Sequence, residues 1–229
     1  MDSNQLSQLL ADMSPSQRSE LLQLLRQDHQ LAIHPLERNW GTSAEVILEA
    51  IDQAPDLIQR GVRGVVAEAI FRTMVVPQSL PDWFSAPVHN DAPYDLLLSH
   101  PVLGDVRVQV KSQRKEKQLP KLYKEQDGPL PVYVVETQRT RNGVLPDGTP
   151  SRPYRFEEFD VLAVCLHASS GRWDDFIYCA TPDLLARSAY PNMLEVLQPV
   201  YLGRPQLWSR DFPSLVLNNL RNRQDGRKR

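Results

Sequence analysis

The sequence predicts an α/β fold, a central mixed β-sheet flanked by helices, with an N-terminal helical extension. Three observations carry this. Residues 1–76 hold apolar side chains at helical spacing, residues 93–181 hold short strand-like runs, and a hairpin pattern stands between the two regimes. Helices, hairpin, further strands and a last helix, in that order, describe a sheet with helices packed on it. The 229 residues are enough to bury a substantial core. With 41% hydrophobic and 24% charged residues the chain reads as globular. Nineteen prolines against ten glycines break it too often for one long helical bundle. A net charge of −2 excludes a uniformly basic coat but leaves room for a local basic patch.

The elements follow in order. Ser14-Pro15-Ser16-Gln17 combines an N-cap, a proline at the first helical position and a glutamine that can close a capping box, and QRSELLQLLRQ continues from it. The leucines at 21–25 are core or a dimer contact. His34-Pro35 interrupts; a second helix is expected from Ser43 to Gln53, ended by Pro55. Over 61–76, Val62, Val65, Val66, Ala69, Ile70 and Thr73 fall on one helical face, predicted to be the buried one. PYDLLLS (93–99) and DVRVQVKS (105–112) read as strands joined by HPVLG, the second alternating Val106, Val108 and Val110 with Arg107, Gln109 and Lys111. Further strands are expected at 132–138, 159–166 and 175–181, then a short helix from Thr181-Pro182 to Arg187, and RNRQDGRKR as a disordered basic tail. The domain reading is 1–59, 60–190 and 191–229. The start, MDSNQLSQLL, lacks the regions of a secretory signal, and no apolar run approaches the ~20 residues that span a bilayer. A soluble, cytoplasmic protein with no membrane partner is expected, with Cys165 and Cys179 as reduced, buried thiols.

A polar cluster carries the chemistry. Gln109 and Lys111 lie two apart on one strand, so they leave the same face, and the antiparallel return brings Asp95 beside them. Glu68 lies on the flank of the preceding helix. Phosphodiester hydrolysis needs charge neutralised on the scissile phosphate and an activated water. Carboxylates hold Mg²⁺, which keeps several waters and takes only one or two of them. A neighbouring lysine can orient the water and stabilise developing charge. Glutamine is a weaker, neutral oxygen ligand.

PYD followed by Gln-Val-Lys resembles the PD-(D/E)XK nuclease superfamily: an Asp opening one strand, (Asp/Glu)-x-Lys on the next, often a Glu on the helix before, here Glu68 in VAEAIF. FDVLAVCL and DFIYCATPDLL are similar to later strands of intron-encoded and resolvase-like members. The resemblance implies a restriction endonuclease-like core over 60–190 and a Mg²⁺-dependent endonuclease acting on double-stranded DNA. Asp95, Gln109, Glu68 and the main-chain carbonyl of Val110 would hold the metal, with Lys111 positioning the water. Gln109 departs from the usual carboxylate. Type II restriction endonuclease is the leading reading, as a homodimer that cuts both strands of a palindrome, with a cognate DNA methyltransferase as partner on the same site. Homing endonuclease, Holliday-junction resolvase and a non-catalytic DNA-binding subunit are the alternatives.

Residues 111–124 carry six Lys or Arg and one Glu. They are the expected seat of the DNA backbone, with Ser112, Gln113, Arg114, Lys115, Lys117, Lys121 and Lys124 as contacts and Arg139 and Arg141 in a second basic loop. Bland readings compete. Arg72 can pair with Glu68 at i+4, and the basic run can be a solvated helix or loop. His89 and His100 bracket the hairpin as surface or turn residues; Asp160 begins a strand and Asp174 and Asp175 lie in a turn, where a turn role competes with an accessory site role.

Overall fold

The computed structural model describes residues 3–28, 34–89, 91–126, 128–139, 148 and 151–226. The chain forms two units, Met1–Gln59 and Arg60–Arg229. The first contains α1 (Ser3–Asp12), α2 (Pro15–Asp28), α3 (Pro35–Trp40) and α4 (Ala44–Asp52). Its caps follow from local chemistry. Ser14 Oγ accepts from the Gln17 amide at 3.3 Å, while Gln17 Oε1 accepts from the Ser14 amide at 2.9 Å. His34-Pro35, which reads as an interruption, starts α3: His34 Nδ1 accepts from the Leu36 amide and Glu37 returns a carboxylate to the His34 amide.

The second unit opens with most of α5 (Asp56–Ile70), a π-helical turn over Phe71–Val75 and α6 (Val76–Ser79). β1 (Phe84–Ala86), β2 (Leu96–His100) and β3 (Gly104–Ser112) follow, then the small hairpin β4 (Lys115–Glu116) and β5 (Leu119–Pro120) and strand β6 (Val132–Glu136). β7 (Val161–Cys165), α7 (His167–Ser170), β8 (Phe176–Ala180), β9 (Ala186–Arg187), β10 (Tyr190–Leu194), β11 (Leu197–Tyr201) and α8 (Phe212–Gly226) complete it. The main sheet has the order β1-β2-β3-β7-β8. It is mixed: β3 and β7 are parallel, the other pairs antiparallel. β7, VLAVC, is buried on both faces, as a central strand with no polar side must be.

Helices α5, α6 and α8 pack on one face, where Val106, Val108 and Val110 meet Ala67, Phe71, Phe212 and Val216. The other face is covered by the β6–β11 ribbon, β10, Tyr154, Phe159 and Trp208. The β2–β3 turn is held by His100, whose Nδ1 accepts from the amides of Val102 and Leu103, and closed by Gly104 at φ 94°.

Several expectations are corrected. α5 buries Ala67 completely and leaves Val65 66% exposed. Phe71 decides the face: its ring lies 5.1 Å from Phe176 and 5.3 Å from Phe212, and burying an aromatic outweighs burying a valine. After Thr181-Pro182 only a 3₁₀ turn, Thr181–Asp183, forms before β9. The segment read as a basic tail is helical to Gly226, its helix anchored by Phe212, Val216 and Leu220. Within the basic run 111–124, residues 115–120 form the β4–β5 hairpin, turning through Lys117 and Gln118 at φ 50° and 66°. Among the described residues no helix is long and apolar enough to cross a membrane.

Candidate active site

Asp95 sits one residue before β2. Its amide donates to Val108 O at 3.0 Å, at the end of the β2–β3 register where Leu96 pairs Val108, and its carboxylate thereby reaches the Gln109 side chain. The Asp95 carboxylate accepts from the Val110 amide at 2.8 Å and from Gln109 Nε2. Gln109 is 1% exposed, and its Oε1 is buried with no hydrogen-bond partner. An orphaned buried acceptor costs about 1–3 kcal/mol, and such groups concentrate where something else is meant to bind.

Lys111 leaves the same face. Its Nζ lies 5.5 Å from the centroid of the Tyr154 ring, a cation–π contact. Tyr154 is buried, edge-on to Phe159, and Arg139 stands 5.5 Å from the same ring. Burial raises the Tyr154 pKa, with the Lys111 charge opposing and the Asp95 charge reinforcing, so the phenol stays protonated. Nothing local in the sequence ties Tyr154 to Lys111; only the packing of the layer over β3 does.

Glu68 lines a cleft of about 530 Å³ with Asp95, Tyr94, Arg72, Ser85, Pro87 and His89. Burial raises its pKa first and the Asp95 carboxylate second, against the charges of Arg72 and Lys111. The pairing with Arg72 also exists, at 3.4 Å. Glu68 therefore has the Arg72 partner that helical spacing offers, and it lines the same cleft as Asp95. His89 lines the cleft, while His100 belongs to the hairpin turn.

Among the described residues no three His, Cys, Asp or Glu side chains gather as metal ligands. The donors here are of another kind: two carboxylates, an amide oxygen and a main-chain carbonyl. That all-oxygen set, with at most two carboxylates, suits Mg²⁺ better than a softer metal. Rotating the Gln109 amide by half a turn would bring Oε1 against the Asp95 carboxylate, two oxygen donors that need a cation between them.

The basic residues divide. Gln113, an expected DNA contact, turns inward and is 4% exposed, because it shares the β3 face of Gln109 and Lys111 beneath Val135. Arg114 pairs with Glu136, Lys121 with Glu116 and Arg139 with Glu158. Ser112 and Lys115 are half-buried, and Lys117 and Lys124 are exposed. Arg141 lies outside the described residues. Asp160 is structural: its carboxylate accepts from the Arg107 amide at 2.7 Å and from its guanidinium at 3.1 and 2.7 Å, and pairs with Arg223 of α8.

No protein-family model matches the chain. No curated protein matches its sequence. Among solved structures, a bacterial homing endonuclease, I-Ssp6803I, is similar over 72% of this chain and 97% of its own, at 20% identity and a TM-score of 0.37. Likeness at that level does not carry a mechanism from one chain to the other.

Proposed function

We propose that the protein is a Mg²⁺-dependent DNA endonuclease of the PD-(D/E)XK type, built on Asp95, Gln109 and Lys111. The observation that carries this is the Gln109 amide, buried against the Asp95 carboxylate through Nε2 with its Oε1 left unpartnered, and Lys111 leaving the same strand face. Asp95, Gln109 Oε1, the Val110 carbonyl and Glu68 are the groups that would hold the ion. A bound Mg²⁺ supplies positive charge at the phosphate and acidifies water. Lys111, held by Tyr154, hydrogen-bonds the attacking water and steadies charge as the P–O bond to the leaving oxygen breaks. The hairpin carrying Lys115 and Lys117, with Lys124 beyond it, holds the backbone of double-stranded DNA by charge.

Within that class a type II restriction endonuclease is the leading reading, acting as a homodimer on a palindrome. Its companion would be a DNA methyltransferase that protects the same site. One observation favours a second reading, a binding subunit on an inactive nuclease fold: the Gln109 amide nitrogen already donates to Asp95 and fills the position of a ligand.

The test is digestion of long duplex DNA with Mg²⁺, with Lys111→Ala and EDTA as controls. Discrete fragments from the wild type alone support the endonuclease, and their ends distinguish a short palindrome from a long asymmetric site. Duplex binding without cleavage by folded wild type supports the binding subunit, unless four-way junctions are cut. Undiminished cleavage by Lys111→Ala moves the active site elsewhere.

A further inference from the structure

β3 ends at Ser112, and the chain runs from there straight into the β4–β5 hairpin. The base of that hairpin is pinned to the strands around it. The Gln113 amide donates to Cys165 O at 3.0 Å and the Arg114 amide to Val134 O at 2.9 Å. On the return, the Lys121 amide donates to Arg114 O at 2.8 Å and the Tyr123 amide to Val132 O at 2.8 Å. Arg114 and Glu136 form an ion pair at the same base, and α7 packs beside β5. The ribbon therefore leaves the sheet at the end of β3 that carries Lys111. From Lys111 to the tip at Lys117 an extended chain covers no more than about 20 Å.

Lys115 pairs with Pro120 and Glu116 with Leu119, which leaves Lys117 and Gln118 as a two-residue turn. Both stand at positive φ, 50° and 66°, the signature of a type I′ turn. That turn favours Asn-Gly, because larger side chains are strained there. Among the described residues no other non-glycine residue has a positive φ. The fold makes no use of the two side chains that sit on this strained backbone. Both are exposed, and neither has an ion pair or a side-chain hydrogen bond among the described residues. Leu119 beside them is 69% exposed. Lys121 Nζ donates to Glu116 Oε1 at 3.1 Å and braces the ribbon below the turn. Backbone strain that packing does not explain concentrates where a side chain meets a ligand.

We propose that the β4–β5 hairpin enters the major groove of the bound duplex and that Gln118 reads an adenine there. The proposal rests on the endonuclease reading and names the residue that gives it a sequence preference. A two-stranded ribbon fits the major groove of B-DNA. The amide oxygen of Gln118 accepts from adenine N6 while its amide nitrogen donates to adenine N7. Lys117, next to it, supplies charge to the phosphates that wall the groove. The short span from Lys111 to the tip puts the base that is read within about one helical turn of the cleaved bond.

The test is selection from a pool of random-sequence duplexes, with Ca²⁺ replacing Mg²⁺ as the oxygen-bound cation, and sequencing of the bound fraction. The wild type is expected to select a sequence containing an adenine that Gln118→Ala no longer selects. The variant should lose about tenfold in discrimination at that base pair and keep the rest of the sequence. Lys117→Asn/Gln118→Gly installs the pair that this turn favours. It is expected to melt at a higher temperature than the wild type and to lose preference for the same adenine. A lower melting temperature overturns the strained turn on which the proposal stands. A sequence preference unchanged in both variants overturns base reading by Gln118. A loss of affinity equal on all sequences overturns it in favour of a phosphate contact. A wild type that binds duplexes without preference overturns it as well. A wild type that cleaves at a defined sequence, with Gln118→Ala keeping that sequence, sinks the base contact alone. A wild type that binds no duplex sinks the endonuclease reading and the base contact with it.

Discussion

An amide at position 109 offers a cation one neutral oxygen where a carboxylate would offer a charge. A cation held with Asp95 then meets one full negative charge, plus that of Glu68 only when Glu68 is ionised. Glu68 resists ionisation because it is half-buried and faces Asp95. For the proposed Mg²⁺ site, weak metal binding is the expected consequence of that charge count. Gln109→Glu is expected to lower the Mg²⁺ concentration for half-maximal cleavage by about tenfold. The same change sets two carboxylates together with Gln109's place 1% exposed, so melting without metal should occur at lower temperature and recover on adding Mg²⁺. A titration of cleavage against Mg²⁺, paired with melting curves, reads both effects. In the proposed role Lys111 would act on the water and the developing charge, so Lys111→Ala should cost about 100- to 1000-fold in turnover with little change in duplex affinity, as single-turnover kinetics and anisotropy would report.

Among the elements, α8 is tied to the sheet by apolar packing, by charge and by a hydrogen bond. Phe212, Val216 and Leu220 enter the core under α5. Arg223 and Arg107 converge on Asp160, which is 5% exposed. Asn219 Nδ2 donates to the Asp160 carbonyl at 3.2 Å and adds a third tie. Removing a buried partner leaves the other charges uncompensated. Asp160→Ala is expected to cost about 3 kcal/mol in chemical denaturation, the lower end of the usual range. The two arginines keep 33% and 34% of their side-chain surface in water, which softens the penalty.

For the second unit as a whole, the two cysteines report whether its core stays closed. Burial pushes the Cys165 thiol from 9.0 up to about 11, and burial also pushes Cys179 upward. Their folded pKa values lie above the unfolded ones. The protonated thiols therefore stabilise the fold fully below about pH 9, and that contribution is lost as pH rises through the folded values. Both thiols should resist a disulfide reagent at pH 8 and react only in step with unfolding. Prompt modification of the native protein would show that this core opens.

How much was legible follows from where each instruction resides. The period of two in Val106, Val108 and Val110 sets β3, and the same geometry places Gln109 and Lys111 together on the other face. With HPVLG as a turn, Asp95 must return beside them. The capping box at Ser14 is equally local. The face of α5 was not legible, because its sequence offers more than one apolar stripe and the choice falls to Phe71, Phe176 and Phe212 meeting across the core. Gln113 is polar and next to the motif, yet the β6 layer buries it. Tyr154 meets Lys111 across a long stretch of chain. By itself the sequence determined which residues share a strand face, since backbone geometry imposes that over a few residues. Only the tertiary structure decided which face is covered and which distant side chains complete each cluster. Packing selects among local patterns that are equally apolar or equally charged.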